Sequence, residues 1–379
     1  MTKQKAERVL YFNSWSTAHG GSATSLLDIV RSLDYKRFEP LVVCPAEGEL
    51  PARLREIDVP VIVHPLSRLN REEAWSVLRE VPWYLRLLRQ ERIALVHGNT
   101  SASRRSLLQA AKLARIPYVQ HVRNGMKKPA ASVGCRYASR IIVNSDDAAR
   151  SIRAEPALHR KTLTIYNAVD LNAYQATDTH REALGIGKRP VLGFVGQIVP
   201  RKGLHVLIEA MALIRDVLPD ALLLIVGCAP PDDVAYEHAC RTRVADLGIS
   251  ANVCFAGYRR DVPTWMRTFD TFVLPSQAEP FGKVIIEAMA AVCPVVASRV
   301  GGIPEIIRDA DLGILVEPES PRALADAVTG LLCDAARVAA LAEAGRRHVH
   351  AHFGLRGMIE RLQDLYDAIL KEQRGARAA

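Results

Sequence analysis

Residues 271–298 read TFVLPSQAEPFGKVIIEAMAAVCPVVAS. The run Thr271–Leu274 is β-branched and apolar without polar alternation, as in a strand buried on both faces. A loop, Ser276–Pro280, follows, and a helix is expected from about Phe281–Gly282. Val295–Ala297 then predicts a second strand. Strand, helix and strand in succession are the pattern of a parallel α/β sheet, and ligands bind such sheets at the carboxyl ends of their strands. Glu279 falls on that loop, and Glu287 falls in the second turn of the helix among Val284, Ile285, Ile286, Ala288 and Met289. A carboxylate in apolar surroundings needs donors to offset its desolvation, and sugar hydroxyls are suitable donors. The competing reading makes Glu279 loop surface and Glu287 one half of a helical ion pair.

The same pattern extends in both directions. Strands are expected at Val9–Phe12, Leu41–Cys44, Val61–His64, Leu95–Gly98, Tyr118–Val122, Arg140–Asn144 and Leu163–Tyr166. A second set is expected at Val191–Val195, Leu222–Val226, Val253–Ala256, Thr271–Leu274, Val295–Ala297 and Ile314–Val316. Amphipathic stretches separate them, which predicts an α/β protein. Between the sets, Asn172–Lys188 is polar and without a strand-like run, and reads as a linker. The expected domains are 1–171 and 172–354, within a chain of 379 residues. A last helix spans about Leu355–Lys371, and the tail RGARAA is expected to fray.

Three further loops carry chemistry-bearing residues. In GFVGQIVPRKG, Gly196 leads from a strand into a turn, and Arg201 and Lys202 precede the next helix. Two cations at a helix N-terminus oppose its dipole, a conflict that a bound diphosphate removes. A solvated basic turn is the plain alternative. In NSWSTAHGGSATS, Gly20 and Gly21 permit close backbone approach to a ligand, and Ser22 is placed to cap the following helix. This is not the dinucleotide fingerprint, which argues against a nicotinamide cofactor. In YVQHVRNG, His121 ends a strand, as His97 does in LVHGNTS; each orients a sugar hydroxyl or is simply structural.

Composition narrows the function classes. By count, residues 1–170 hold 27 Lys and Arg against 16 Asp and Glu, a balance of +11, and the remainder holds 23 against 25, a balance of −2. A basic first half suits an anionic lipid surface, a lipid-phosphate acceptor or nucleic acid, or is ordinary solvated charge. RNGMKK, Arg123–Lys128, is a candidate contact for an anionic acceptor. No helix-turn-helix or zinc signature accompanies the charge, and aromatics are only 6%, so nucleic-acid binding is the remote reading. Residues Arg71–Arg92 combine Trp75, Trp83 and Tyr84 with five arginines, the composition of an interfacial helix or of a helix covering the first sheet. No apolar run reaches the ~20 residues of a membrane helix, and the basic start has no secretory segment after it, so a cytoplasmic protein is expected, peripheral on the inner face of the membrane if it associates at all. The seven cysteines lack metal or disulfide spacing and read as buried free thiols. Asp309–Asp311 reads as a turn, and His348–His352 brings only two imidazoles onto one helix face, so no metal site is expected.

Together these loops resemble family 4 of the glycosyltransferases. EPFGKVIIE, Glu279–Glu287, is similar to that family's Glu-x7-Glu signature. GQIVPRKG is similar to its Gly-Arg-…-Lys-Gly loop, with Gln197 where arginine is common. AHGGSA matches the Gly-Gly loop, Tyr166–Asp170 the Asn-Gly-Val-Asp segment with Ala168 in place of glycine, and Val296–Ile307 the Gly-Gly-x-x-Glu turn. The resemblance implies the GT-B fold: two Rossmann-like domains facing across a cleft, the first on the acceptor side, the second binding the nucleotide-sugar, with the C-terminal helix returning to the first.

It also implies a retaining, metal-independent transferase that needs no cofactor and takes its sugar from a UDP-, GDP- or other nucleoside-diphosphate donor. Glu287 would hold the ribose and Glu279 the donor sugar. Arg201 and Lys202 would neutralise the leaving diphosphate. The amides of Phe281, Gly282, Lys283, Val284, Gly20 and Gly21 would help hold phosphate and sugar, with Gly196 opening the basic loop. His121 would touch the donor sugar, and Arg259 would lie near the base. The acceptor would be a saccharide, a lipid-linked glycan or another small molecule, in glycoconjugate or polysaccharide synthesis. A sugar-nucleotide epimerase or a phosphorylase on the same fold is the alternative.

Overall fold

The computed structural model describes every residue except 1–5, 18–19, 66–72, 101–103, 125, 127–128, 130–131, 176–177 and 379, and describes 73–79 and 377–378 by backbone alone. The chain divides into two compact units, Met1–Asn167 with Leu355–Ala379, and Ala168–Gly354.

The first unit holds β1 (Glu7–Phe12), β2 (Phe38–Cys44), β3 (Val61–Val63), β4 (Ile93–Gly98), β5 (Tyr118–Val122), β6 (Arg140–Val143) and β7 (Thr162–Thr164). They form one parallel sheet in the order β3-β2-β1-β4-β5-β6-β7. Leu10, Phe12, Val43, Val96 and Val143 pack on one face with Tyr84, Leu88 and Leu107. Burial on both faces is why these strands read as unbroken apolar runs.

The C-terminal helix, Leu355–Ala378, belongs to this unit. It buries Ile359, Leu362, Tyr366 and Ile369 at helical spacing, and Tyr366 packs edge-on to Phe38 with ring centroids 5.4 Å apart. The expected frayed tail is helical through Ala378, because Arg374 pairs with Glu7 and Gln373 donates to the Arg115 carbonyl.

The second unit holds β8 (Val191–Val195), β9 (Leu222–Val226), β10 (Val253–Gly257), β11 (Thr271–Leu274), β12 (Val295–Ser298) and β13 (Ile314–Val316), in the order β10-β9-β8-β11-β12-β13. All pairings are again parallel. The direction of strand progression reverses between β8 and β11, which opens a crevice at their carboxyl ends.

The stretch expected to link the domains lies inside this unit. Leu171–Tyr174 forms a helical turn, Tyr174 and Ile186 are buried, and Arg181 pairs with Asp270. Its polar residues bind the unit's own loops, so polarity there marks a docked strap. Among the described residues no helix is long and apolar enough to cross a membrane.

In the helix Glu73–Gln90, Tyr84 is fully buried and Trp83 stacks on His64 with centroids 3.7 Å apart. Both aromatics take part in the first unit's packing, Trp83 remaining half-buried; the side chain of Trp75 lies outside the described residues. All seven cysteines are free thiols, with Cys44, Cys135, Cys240 and Cys293 buried, Cys228 and Cys254 half-buried and Cys333 exposed.

Candidate active site

In the second unit the loops after β8 and β11 meet at the reversal point. The Gln277 N–H donates to the Arg201 carbonyl at 2.9 Å, which fastens one loop to the other. Gly203 sits at φ +69°, and a Cβ there would overlap the Pro275 carbonyl oxygen, so the approach requires glycine.

Lys202 and Glu279 are only 8% and 9% exposed and form an ion pair, with Ser276 Oγ donating to the same carboxylate at 3.5 Å. Lys202 therefore lies inward, where the sequence had suggested a cation facing only a ligand. Arg201 beside it is exposed and makes no side-chain hydrogen bond or ion pair among the described residues. The pair thus splits into one cation that fixes a carboxylate and one that is open to an anion.

The helix Lys283–Ala290 starts one turn beyond Glu279, with Gly282 as its N-cap, no capping side chain and no acid in its first turn. Such an end favours an anion. Phe281 is buried, 5.9 Å from the Phe353 ring, and sets the helix against the unit's interior. Val284 is half-buried. Glu287, also half-buried, lies 3.6 Å from Lys283, the i,i+4 partner on its own helix face. Gly196 follows β8, and its N–H donates to the Val226 carbonyl at 3.0 Å. Arg259 follows β10, two strands from β8, with its guanidinium 5.7 Å from the Trp265 ring centroid.

His121, Gly20 and Gly21 belong to the first unit. Gly20 is the N-cap of the helix Gly21–Ser32; Ser22 lies within the first turn and does not cap it. His121 on β5 is 4% exposed and belongs to a buried polar network under the C-terminal helix. Its Nδ1 lies 3.3 Å from His97 Nε2 and 3.4 Å from Arg123 Nη2. His97 Nδ1 lies 2.6 Å from the Tyr366 hydroxyl, which lies 3.1 Å from that of Tyr11.

Arg123 was expected to face an acceptor, but is 7% exposed and donates to Asn99 O at 3.0 Å, Asn99 Oδ1 at 2.7 Å and Asn167 Oδ1 at 3.1 Å. Lys127 and Lys128 of the same basic stretch lie outside the described residues. Burial pushes the Arg123 guanidinium down to about 9, and Asp28 acts against that shift. Burial, and then the Arg123 charge, push His97 down to about 3. His121 is driven well below its usual value by burial, by Arg123 and by His97.

The comparisons with known proteins agree over most of the chain. The profile described as Glycosyltransferase Family 4 matches residues 19–173, and that described as Glycosyl transferases group 1 matches residues 176–348. The chain belongs to the family 4 glycosyltransferases. A D-inositol 3-phosphate glycosyltransferase of Corynebacterium urealyticum is 31% identical over 240 residues, 60% of this chain and 56% of that protein. The chain thus spans a little over half the length of that relative. The lipopolysaccharide core biosynthesis mannosyltransferase LpsB of Rhizobium meliloti is 27% identical over 241 residues, 62% of this chain and 69% of that protein. The structure of Anabaena HepE in complex with UDP and glucose superposes with a TM-score of 0.82 at 25% identity, covering 95% of this chain and 99% of that one. The fold is accordingly GT-B.

In this family 4 glycosyltransferase, sequence reasoning placed the local motifs but missed what braces them. Gly302 N–H donates to the Glu279 carbonyl at 3.0 Å, so the Gly-Gly-x-x-Glu turn supports the Glu279 loop. Asn99 was not singled out, Asn167 was read only within the Tyr166–Asp170 segment, and Tyr366 only as a core-facing position of the last helix; a polar group at an otherwise apolar strand end or helix face was their one visible signal. Asp309–Asp311 lies in a turn, and His348 and His352 stand 4.8 Å apart by ring centroid. No group of three or more His, Cys, Asp or Glu gathers as metal ligands among the described residues.

The neutral imidazoles predict a pH effect. A base whose folded pKa is depressed binds its proton more readily when unfolded. Stability is therefore complete above about 6.5 and falls below it, for His97 as pH drops toward 3 and by up to ~1.4 kcal/mol per pH unit, with His121 acting in the same direction. Urea midpoints between pH 7 and 5 are expected to fall less steeply in His97→Gln than in the wild type; parallel profiles would contradict this.

Proposed function

We propose that the chain transfers a sugar from a nucleoside-diphosphate-sugar to an acceptor with retention of anomeric configuration, the second unit holding the donor and the first the acceptor. The observation that carries this reading is the exposed Arg201 guanidinium, unpaired among the described residues, beside the buried Lys202–Glu279 pair, at the strand-order reversal where α/β sheets bind ligands.

Arg201 offers a planar fork to the diphosphate. Lys202 spends one N–H on Glu279 and has two more to give. The uncapped helix start at Gly282 and Lys283 adds amide dipoles. Glu279 accepts from hydroxyls of the donor sugar and Glu287 from those of the ribose, with Arg259 near the base. Gly20, Gly21 and His121 contribute from the first unit. The acceptor oxygen bonds to the anomeric carbon on the leaving-group face as the bond from that carbon to the diphosphate oxygen breaks. The acceptor proton leaves on the diphosphate. Negative charge develops on the leaving group, where fixed cations and dipoles are worth most.

HepE was solved with UDP and glucose, which makes UDP-glucose the first donor to try. The acceptor is a saccharide, a lipid-linked glycan or another small molecule. A nucleotide-sugar panel read by thermal shift tests the donor. A true donor at a hundredfold excess over its Kd is expected to stabilise the wild type by ~2.7 kcal/mol. It is expected to stabilise Arg201→Ala much less. No response to any UDP- or GDP-sugar would overturn the reading.

A further inference from the structure

The hydrogen-bond chain in the first unit has a direction, and one residue sets it. A row of imidazoles and hydroxyls can carry its protons either way, because each member both donates and accepts. Arg123 breaks that symmetry, since a guanidinium has only donors. The His121 Nδ1 facing Arg123 Nη2 at 3.4 Å therefore accepts. His97 Nε2, 3.3 Å from the same Nδ1, must donate. With its proton on Nε2, His97 accepts at Nδ1 from the Tyr366 hydroxyl at 2.6 Å. The Tyr366 oxygen accepts in turn from the Tyr11 hydroxyl at 3.1 Å.

Arg123 is itself held in place. The Asn99 amide orientation is fixed because its Nδ2 donates to Asn13 Oδ1 at 2.9 Å and to Ser22 O at 3.1 Å, which leaves Oδ1 to accept from Arg123. Asn167 Oδ1 accepts from Arg123 Nη1 at 3.1 Å and from Ser25 Oγ at 3.3 Å. The chain ends at His121 Nε2, a buried nitrogen with no hydrogen-bond partner among the described residues, in a side chain that helps line a small cavity with Ser25, Arg123, Asn167 and Met358.

We infer that Arg123 is a positioning residue that polarises the chain Tyr11–Tyr366–His97–His121, so that His121 is held with its proton on Nε2 and presents that N–H as a donor to a ligand oxygen at the first unit. The last clause rests on the proposed function; the tautomer does not. The depressed pKa values of both imidazoles agree with a neutral ring that donates a hydrogen bond and does not take up a proton. His121 then selects an oxygen lone pair at its ligand, and Tyr366 ties that selection to the C-terminal helix.

Histidine side-chain nitrogen–proton correlation spectra of the full chain without substrate test this directly. The wild type is expected to show His97 and His121 each neutral and protonated on Nε2. Arg123→Met removes the donor that sets direction, so a His121 form protonated on Nδ1 is expected to appear. Arg123→Lys keeps a donor and is expected to keep the wild-type tautomer. Tyr366→Phe removes the far end of the chain but leaves Arg123, so His121 is expected to stay protonated on Nε2. A wild-type His121 protonated on Nδ1 would overturn the inference even if Arg123→Met does not fold. So would a folded Arg123→Met with an unchanged tautomer, or loss of the Nε2 proton in Tyr366→Phe. Because no substrate is present, these outcomes are separate from a failure of nucleotide-sugars to bind.

Discussion

Arg201→Ala and Lys202→Ala are expected to lose activity alike and to differ in stability. On the proposed function each removes a cation from the developing negative charge of the leaving group, and loss of one such donor costs ~100–1000-fold in rate in comparable sites. The neighbours differ in what they leave behind. Arg201 is exposed and unpaired among the described residues, so its truncation is expected to move the thermal midpoint by little. Lys202 is buried against Glu279, and its truncation leaves a carboxylate out of water with only the distant Ser276 hydroxyl beside it among the described residues. Breaking a buried pair from one side costs about 3–5 kcal/mol, which for a unit of this size lowers Tm by on the order of 10 °C. Lys202→Met combined with Glu279→Gln removes both charges and is expected to recover most of that stability without recovering turnover. The measurements are turnover at saturating donor and calorimetric Tm for all three proteins. Equal Tm values for Arg201→Ala and Lys202→Ala would show that the Lys202–Glu279 pair contributes nothing to the fold.

That contrast also shows where sequence reading stops. The strands were legible because a parallel sheet covered on both faces demands unbroken aliphatic runs. VLGFV, LLLIV and TFVL have few other uses in a globular chain. The loops of the candidate site stood out because their signals are local: a basic pair before a helix, two carboxylates eight positions apart, a double glycine. Partners distant in the chain were not. Lys202 meets Glu279 across 77 positions and His97 meets Tyr366 across 269. Nothing in either neighbourhood announces the other.

Charge misled for the same reason. Arg123 follows strand β5 and precedes Lys127 and Lys128, which reads as surface, yet three neutral amide and carbonyl oxygens draw it inside. The polar stretch at 172–188 read as a linker until Arg181 and Tyr174 were seen bound to the second unit.

Gly301→Ala is expected to impair Glu279 without altering its side chain. Gly301 sits at φ +54°, where a side chain is strained, and a Cβ there would overlap the Glu279 carbonyl oxygen. Backbone cannot yield as the end of a flexible side chain can. The Glu279 loop must therefore shift, and the Gly302 N–H bond to the Glu279 carbonyl must lengthen with it. Displacing a catalytic contact by about 1 Å costs on the order of 100-fold in rate. Strain at one left-handed position accounts for only ~1–2 kcal/mol of stability. The expected result is a folded protein with modestly lowered Tm, a donor affinity within a few-fold of the wild type, and turnover reduced about 100-fold. Gly302→Ala is the control. Its φ of −82° suits any residue, so it is expected to retain far more activity. Equal turnover in the two variants would mean that the turn does not set the position of Glu279. A Gly301→Ala enzyme as fast as the wild type would mean that the Glu279 carboxylate tolerates displacement, and would remove it from the residues that contact the reacting sugar.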